Sequence, residues 1–559
     1  MTRRELLALL GAAPVAAGGC CLHGYPKATR FGPLDAAAPV VPLQETIGGR
    51  ALTYPAIDVH AHFFNASDVP VRGFVAECIA HSEKDPLLRR LIELLAPILE
   101  ALSLLAPTAA DELRQLRAFD RNVQGQSSTE VSQRFATLIN TDRTLASERL
   151  AKAINGTALE RELLALKSLP AAPPRRGTLS PAEIRDIVDR TRRPSPRAMA
   201  RPSLTASRAD VADGFIAFLV YMLSLRASNL EVHHDAYSSD THAFGIDLVL
   251  GSLVDFDYWI DCPPRSAHDD QIAVHARLAE GRPTYFKPLV AYNPWTDIQQ
   301  SGAGLARVVK AIQDYGFGGV KIYPPMGFMP AGNADAPPPT PKKRPNLAQL
   351  DAVLKAFFDK CAAIGAPIVA HTARSNGRDE YHDEFGGPAG WRTLIDGYAA
   401  AAGVATIDFG HFGGGAWLQD FAELMKDKYD RQLYGDLSFR EELMCPPIPD
   451  DRCREGRKHL RDALDVTFKN AETVADRTMF GTDWFMLSLV KGWPDYPALL
   501  LESLQAIASP DDVKKIFRSN AINCFKLPGP LFSDAGALSP SPTPTPPSRA
   551  PRDRRRSDV

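Results

Sequence analysis

The sequence has little of several features that would assign it to a familiar functional class. Its 64 Lys and Arg residues nearly balance its 66 Asp and Glu residues, so no basic excess indicates nucleic-acid binding and no acidic excess indicates a disordered chain. None of the eight cysteines forms a C-x-x-C pair, which argues against a zinc ribbon or thioredoxin-like site. Cys445 and Cys453 could bridge in an exported protein, although spacing alone does not establish disulfide geometry. Haem, iron–sulfur and dinucleotide motifs are also missing, which argues against a redox protein.

The two ends of the chain differ in composition from its middle. Residues 1–21 combine a charged start, a short apolar run and small residues, a pattern typical of an export signal. The apolar run is far shorter than the roughly 20 residues that a membrane-spanning helix needs. Arg3 and Arg4 suggest the twin-arginine route, and Cys20 is a candidate site for a lipid anchor. We therefore predict export to the periplasm or the membrane surface, with a cytoplasmic protein as the alternative. Residues 534–559 predict a disordered tail.

Eight short β-branched or apolar runs recur along the chain, each followed by a loop and helical sequence. They are 57–63, 246–255, 285–292, 319–323, 367–371, 405–411, 433–438 and 479–483. The intervening segments show a 3.6-residue apolar period, clearest over 347–364. Strands alternating with helices imply a parallel sheet, and eight such units imply a closed (β/α)₈ TIM barrel. An open doubly wound sheet is the alternative, but no glycine-rich phosphate loop follows the first run.

The interval between the first and second runs is much longer than any other. It has little strand character, and its helical patterns cover 86–105, 145–169 and 210–225. We therefore predict a barrel built from 54–63 and 245–530, interrupted by a helical insertion over 64–244. Because the loop after a barrel strand emerges at the C-terminal mouth, this insertion should form a cap there. A second insertion, 326–346, carries several prolines and is a candidate lid.

Polar side chains fall at the ends of five of the eight runs. The set is His60, His62, Lys321, His371, His411 and Asp483. His60 and His62 are two residues apart in the first run, so their side chains should point to one face. Catalytic groups of such barrels come from the C-terminal ends of the strands, and burying unpaired charge there is costly. Each of these residues, taken alone, has a simpler structural explanation. The histidines could lie on the surface, Asp483 could cap a helix and Lys321 could form an ion pair. The ordered set predicts a divalent metal, zinc or else manganese or iron.

These motifs together resemble the amidohydrolase superfamily, and more narrowly its amidohydrolase-related group, which includes aminocarboxymuconate-semialdehyde decarboxylase and the resorcylate decarboxylases. The matching segments are DVHAH at 58–62, GVK at 319–321, APIVAH at 366–371, GHFGG at 410–414, FGTDW at 480–484, and Asn520-Ala521 with Phe525. The resemblance implies the metal ligands His60, His62, His371 and Asp483. It also implies that His411 is an acid/base residue near the metal or a ligand to a second one. Lys321 matches the strand on which some members carry a carbamylated lysine bridging two metals; we expect one metal and an unmodified lysine.

The predicted function is that of a metal-dependent hydrolase, in which a metal-activated water attacks an amide, ester or lactone carbonyl. Asp483 would accept the proton of the water, and His411 would orient or protonate the substrate. One alternative is a decarboxylase acting on a small aromatic or unsaturated acid. A second alternative is a metal-binding scaffold without catalysis.

Further candidates lie near the predicted mouth. Tyr292 follows the third run, and Arg374, just past His371, would suit a substrate carboxylate through bidentate pairing. His233 and His234 are expected in a solvated loop before the second run. The expected partner is a small-molecule substrate rather than nucleic acid, and we expect a homo-oligomer.

Overall fold

The computed structural model describes residues 56–79, 85–167, 178–193, 207–237, 245–260, 263–335, 347–399, 403–445 and 449–527. The predicted signal at 1–21, with Cys20, and the predicted tail at 534–559 lie outside the described residues. Most of the second insertion, from 336 onward, also lies outside them.

Eight parallel strands form one sheet in sequential order. They are β1 (Ala56–Ala61), β2 (Ile246–Ser252), β3 (Phe286–Ala291), β4 (Gly319–Ile322), β5 (Ile368–His371), β6 (Ile407–Gly410), β7 (Leu433–Asp436) and β8 (Thr478–Met479). Backbone hydrogen bonds then join the segment after β8 to β1: Val59 N donates to Phe480 O at 3.0 Å, and Asp483 N donates to His60 O at 2.6 Å. The predicted TIM barrel is confirmed, although β8 is much shorter than the run that predicted it.

Helices alternate with the strands from β2 onward and fill the interval between β1 and β2. The helices of the insertion are α1 (Pro86–Leu95), α2 (Leu99–Leu105), α3 (Ala109–Val123), α4 (Ser128–Ile154), α5 (Ala158–Leu166), α6 (Pro181–Thr191), α7 (Arg208–Leu223) and α8 (Arg226–Tyr237). Those of the barrel are α9 (His268–Gly281), α10 (Ala303–Tyr315), α11 (Leu347–Ile364), α12 (Pro388–Asp396), α13 (Gly414–Asp427), α14 (Asp451–Leu464) and α15 (Tyr496–Gln505). Shorter helical turns are Val71–Gly73, Pro294–Gln299, Glu380–Asp383, Pro510–Lys514 and Asn520–Phe525.

The helices of the insertion begin at strong local signals. Capping boxes start four of them, with the residue pairs Thr108/Asp111, Ser127/Glu130, Ser180/Glu183 and Ser207/Asp210. In each pair the side chain of the first residue accepts a hydrogen bond from a backbone N–H in the first turn of the helix. The side chain of the second residue accepts from the backbone N–H of the first residue. These bonds satisfy N–H groups that have no partner within the helix. The sequence thus encodes where these helices start.

The insertion packs on segments that follow barrel strands. The rings of Phe218 and Phe485 lie 5.5 Å apart, and those of Tyr221 and Trp484 are also 5.5 Å apart. Phe74 stacks on Phe256, after β2, at 4.8 Å. Trp484 and Phe485 directly follow Asp483, so the insertion lies on the side of the barrel that carries the predicted metal ligands.

One part of the insertion is apolar enough to resemble a membrane span by length and composition. This part is Pro86–Val123, with a mean hydropathy of 1.6 over an 18-residue window. Half of that window is buried inside the fold, and the segment is divided among α1, α2, α3 and a 3₁₀ turn. Burial of this kind is typical of the core helices of a soluble domain.

The last helix of the insertion, α8, packs as a barrel helix on the outside of β1. His233 is completely buried. Its Nε2 lies 3.1 Å from Asp58 Oδ2, and its Nδ1 lies 2.8 Å from the hydroxyl of Tyr285. The prediction of a solvated loop is therefore wrong for His233, because α8 takes the place of the first helix in the strand–helix alternation.

A bulge in β1 sets the direction of its side chains. Asp58 pairs with Val249 and Ala61 pairs with Gly251, so three residue steps in β1 match two in β2. The additional residue lets Asp58 face α8 while His60 faces the barrel interior. Bulges are common next to functional sites, where they re-aim a side chain.

Apolar side chains from alternate strand positions fill the barrel interior below the polar groups. They are Ile57, Val59, Leu248, Leu250, Leu289, Val369, Tyr434 and Met479, joined by Ala521, Cys524 and Phe525 from the last helical turn. Burying each such side chain contributes roughly 1.5–3 kcal/mol. This layer supports the polar groups from below.

Cys445 and Cys453 form a disulfide, with a Cα–Cα distance of 5.5 Å. It joins the segment after β7 to the first turn of α14. Spacing alone did not establish this pairing, and the structure contains it. Cys361 and Cys524 are buried free thiols.

Candidate metal centre

Side chains from both ends of the strand order converge at the mouth of the barrel. His60, His411 and Asp483 each offer one ligand atom, and these atoms all lie within 4.8 Å of one another. Asp483 Oδ1 lies 3.9 Å from His60 Nε2 and 3.4 Å from His62 Nε2. All four residues are buried. We call these four residues the donor cluster.

His371 lies beside the donor cluster. Its ring centroid is 4.6 Å from that of His411, and its ring stacks on Tyr323 at 4.2 Å. Its Nε2 lies 3.2 Å from the Ser375 hydroxyl and is not among the converging ligand atoms. The role of His371 as a ligand stays a prediction, and the geometry places His411 closer to His60 and Asp483.

The rings of the donor cluster are oriented by groups around them. His60 Nδ1 lies 2.8 Å from Asp436 Oδ2, and His62 Nδ1 lies 3.0 Å from the Ser252 carbonyl oxygen. Each acceptor requires a proton on Nδ1, which leaves Nε2 with a lone pair for a metal. Carbonyl and carboxylate partners of this kind are common around histidine ligands.

Asp436 and Ser438 connect the two histidines His60 and His411. Asp436 Oδ1 accepts from the backbone N–H of His411 at 3.0 Å. The Ser438 hydroxyl lies 3.0 Å from His60 Nδ1 and 2.9 Å from His411 Nδ1. A single side chain after β7 therefore contacts both rings, and β7 contributes to the site without supplying a ligand.

Lys321 faces the same mouth, as predicted. Its Nζ donates to His60 Nε2 at 2.7 Å, and burial lowers the pKa of Lys321 to about 8. The buried Asp408 has neither carboxylate oxygen hydrogen-bonded. Burial, with the neighbouring charge of Asp436, raises the pKa of Asp408 well above its ordinary value.

The protonation states of the cluster suit a cation. Burial lowers the pKa of His62, lowers that of His371 far below its usual value and lowers that of His411 to about 3. Burial also tends to raise the pKa of Asp483, but the hydrogen bond with His62 and the neighbouring imidazoles outweigh it, so the pKa is lowered. Neutral imidazoles around an ionised carboxylate are the forms in which these groups bind metals.

The backbone around the cluster is locally unusual. His411 and Asp483 have φ values of 64° and 58°, in the left-handed region that non-glycine residues rarely adopt. A Cβ at Gly410 would lie 2.8 Å from His60 Cε1, and one at Gly481 would lie 2.9 Å from His60 Cβ. Glycine at these two positions therefore allows the His60 ring to enter the site. Such conformations cluster at functional sites.

The two predicted substrate-binding residues do not join the cluster. The Tyr292 ring stacks on Phe357 of α11 at 3.9 Å, and its hydroxyl donates to Asp297 at 3.1 Å. This corrects the sequence-based assignment, because the side chain points into the helical layer. Arg374 is half-exposed and its guanidinium pairs with Glu384 at 2.5 Å; its substrate role stays a prediction.

The polar residues that surround the donors were not predicted from the sequence. Asp408 lies within the sixth run and Asp436 within the seventh, and both runs are short. A carboxylate at such a position was the available signal, since it needs a compensating partner. Ser438 and the pairing of Asp58 with His233 carry no comparable local signal.

Comparison with known families identifies the barrel. A family model described as amidohydrolase matches residues 252–527, from the end of β2 to the last helical turn. The chain belongs to the amidohydrolase superfamily. The match begins after β1 and the insertion, so the His60 and His62 pair of this amidohydrolase lies outside the matched residues. No curated protein matches the sequence.

Several solved structures are similar to this amidohydrolase. An amidohydrolase from Burkholderia multivorans with bound zinc has 14% identity and a TM-score of 0.34, covering 51% of this chain and 84% of that one. A 2,6-dihydroxybenzoate decarboxylase from Rhizobium has 17% identity and a TM-score of 0.31, covering 55% and 89%. A 4-oxalomesaconate hydratase from Rhodopseudomonas palustris has 14% identity and a TM-score of 0.34, covering 59% and 93%.

The donor set of this amidohydrolase fits the divalent ion that the superfamily typically binds. Two donors that each lie about 2.0–2.1 Å from a tetrahedral zinc are about 3.3–3.4 Å apart. His62 Nε2 and Asp483 Oδ1 are separated by 3.4 Å. Imidazole and carboxylate donors, with outer hydrogen bonds that fix the rings, complete the fit.

Proposed function

We propose that this amidohydrolase is a metal-dependent hydrolase that cleaves an amide, ester or lactone. His60, His62, His411 and Asp483 would hold the ion, which we propose to be zinc, with His371 beside them. A divalent ion at these donors supplies Lewis-acid activation of water and of a substrate carbonyl. The observation that carries the proposal is the convergence of the ligand atoms of His60, His411 and Asp483 within 4.8 Å.

The protonation states of the site favour hydrolysis over decarboxylation. Asp483 is ionised, because its lowered pKa keeps the carboxylate charged at neutral pH, and it can accept a proton from an attacking water. His411, with a pKa of about 3, is a neutral imidazole at neutral pH and is therefore a poor proton donor. Decarboxylation requires a protonated group to deliver a proton to carbon. Among the described groups of the site, the positively charged one is the Lys321 ammonium. It is hydrogen-bonded to His60 and so is not free to protonate a substrate carbon.

A substrate assay with matched variants tests this proposal. The full chain, loaded with zinc, is assayed against lactones, esters, amides and hydroxybenzoates, with CO₂ detected separately. Asp483→Asn keeps the size of the side chain but cannot accept the proton, so turnover should fall by about 10²–10⁴-fold. Asp427→Asn, half-exposed on α13, is the matched control and should retain full turnover. CO₂ release from a hydroxybenzoate without hydrolysis of any ester, amide or lactone would replace the proposal with a decarboxylase.

We also propose that the protein works in an oxidising compartment outside the cytoplasm. The Cys445–Cys453 disulfide supports this location, since disulfides persist in oxidising compartments and are rare in the cytosol. This support is independent of the signal pattern at 1–21. Fractionation of cells that express the full chain tests the location, and recovery of the protein only in the cytoplasmic fraction with reduced cysteines would refute it.

A further inference from the structure

A second group of ligand-type side chains lies apart from the donor cluster. Asp255 and Asp257 are on the segment after β2, and His268 is the first residue of α9. Each offers one ligand atom, and the three atoms lie within 4.8 Å of one another. We call these three residues the β2-loop cluster.

The contacts of His268 are spaced as ligands are spaced around a metal. Its Nε2 lies 3.2 Å from Asp255 Oδ1 and 3.4 Å from Asp257 Oδ2. These separations match the distance of about 3.3–3.4 Å between two donors of a tetrahedral zinc. The same nitrogen is buried, and neither contact meets the geometry of a hydrogen bond. The ring nitrogen and the two carboxylates therefore face one another at ligand spacing as ion pairs that lack hydrogen-bond geometry.

Asp257 gives an independent indication of a missing partner. Only 3% of this residue is exposed, and its Oδ1 has no hydrogen-bond partner. Its other oxygen, Oδ2, forms an ion pair with His268. A buried carboxylate oxygen that is left without a hydrogen bond is costly, and a bound cation would remove that cost.

Asp255 is held in place by a set of donors, as outer-shell groups hold a metal ligand. Its Oδ1 accepts from Asn293 Nδ2 at 3.0 Å and from the backbone N–H of Asp257 at 2.9 Å. Its Oδ2 accepts from the Thr296 hydroxyl at 3.2 Å. Asn293 also donates to the backbone carbonyl of Asp257 at 2.8 Å. These bonds fix the Asp255 carboxylate and the Asp257 backbone relative to the end of β3.

We propose that Asp255, Asp257 and His268 bind a second divalent transition-metal ion, of the zinc class, separate from the donor cluster. One imidazole and two carboxylates are donors that such ions accept, with a fourth position left for water. The chain would then hold two metals at two places, and not two metals bridged at one place.

The position of the β2-loop cluster gives this ion a structural role. Phe256 lies between Asp255 and Asp257 in the sequence. The centroid of its ring is 5.3 Å from that of the Tyr323 ring. Tyr323 in turn stacks on His371 at 4.2 Å. An ion bound by Asp255 and Asp257 would therefore immobilise the aromatic wall that positions His371.

Metal analysis of matched variants tests the second site. Full-length protein is loaded with zinc, dialysed and analysed for metal by mass spectrometry, with folding checked by circular dichroism. The wild type should retain two ions per chain. Asp257→Asn and His268→Gln should each retain one, and Asp483→Ala should also retain one. His459→Gln, largely exposed on α14, is the control and should retain two.

The outcomes separate this proposal from the proposed function. If Asp257→Asn and His268→Gln keep the wild-type metal content while Asp483→Ala loses metal, the β2-loop site is refuted and the donor cluster stands. Should either variant fail to fold, crystals of the zinc-loaded wild type decide the matter. An anomalous zinc peak between Asp257 and His268 supports the proposal. A peak at Asp483 with none at His268 overturns it and leaves His268 as an imidazolium that bridges two carboxylates.

Discussion

Lys321 donates a hydrogen bond to His60 through the same nitrogen, Nε2, that His60 would use to bind a metal, at a distance of 2.7 Å. The lysine ammonium and a divalent ion therefore compete for one lone pair. The pKa of Lys321 is about 8, lowered by burial, so the competition depends on pH within the range in which the protein can be studied.

Metal affinity should rise with pH up to about 8. Below that pH the protonated Lys321 occupies His60, and each unit of decrease should weaken binding by up to about tenfold. Above it the neutral amine no longer competes, so affinity levels off. His62, His371 and His411 do not add to this slope, since their pKa values lie below the usual value. Competition with a chromophoric chelator between pH 6.5 and 9 measures the effect.

Lys321→Met should flatten this pH profile and tighten metal binding at pH 7. Lys355→Met, exposed on α11, is the matched control and should leave the profile as it is. Loss of metal from Lys321→Met would contradict the prediction and would favour a lysine that itself binds metal, as a carbamylated bridging lysine does.

His411→Asn should lose metal to nearly the same extent as Asp483→Asn. The reason is the placement of the ligand atom of His411 within 4.8 Å of those of His60 and Asp483. Metal content and turnover are measured on both variants with one substrate. A His411→Asn protein that keeps its metal but loses turnover would instead make His411 a proton-transfer residue.

Gly410→Ala should disturb the donor cluster from below. The new Cβ would lie 2.8 Å from both His60 Cε1 and the Ala370 carbonyl oxygen, and overpacking of this kind costs roughly 1–3 kcal/mol. We expect a lower melting temperature and a reduced metal content. Gly415→Ala is the control, because a Cβ there meets nothing within 4 Å and should leave metal content unchanged. Equal metal retention in both variants would show that the His60 ring does not depend on Gly410.

Removing the disulfide by Cys445→Ser with Cys453→Ser should lower the free energy of unfolding by about 2–3 kcal/mol, as loop-closure entropy predicts for a short loop. Dithiothreitol should lower the melting temperature of the wild type to that of the double variant and leave the double variant unaffected. A wild type insensitive to reductant would show that the bridge is not formed in solution.

Local periodicity was sufficient to predict most of the barrel. The 3.6-residue apolar pattern of 347–364 became α11, and the runs at 319–323 and 367–371 became β4 and β5 with their ends shifted by a residue. The eighth run shrank to Thr478–Met479, because the residues after it leave the ladder and turn through a left-handed Asp483. Such a turn depends on contacts with β1 that no local pattern encodes.

The candidate site was predictable where its residues end strands and unpredictable where they depend on distant partners. His60, His411 and Asp483 follow from strand-end position. Tyr292 satisfied the same criterion, yet its ring turned toward α11, because one residue of register decides which side of a strand a side chain takes. The burial of His233 depends on Asp58, which is 175 residues away in the sequence.

The closure of the ring between β1 and β8 bears on when the protein can acquire its metal. His60 comes from the first strand and Asp483 from the segment after the last, and Asp58 joins them by accepting from the backbone N–H and the hydroxyl of Thr482 at 3.0 and 2.6 Å. During synthesis the segment with His60 leaves the ribosome early and the segment with Asp483 leaves it late, with more than 400 residues between them. A nascent chain thus carries histidines but no assembled site, and metal loading must be among the last steps of its maturation.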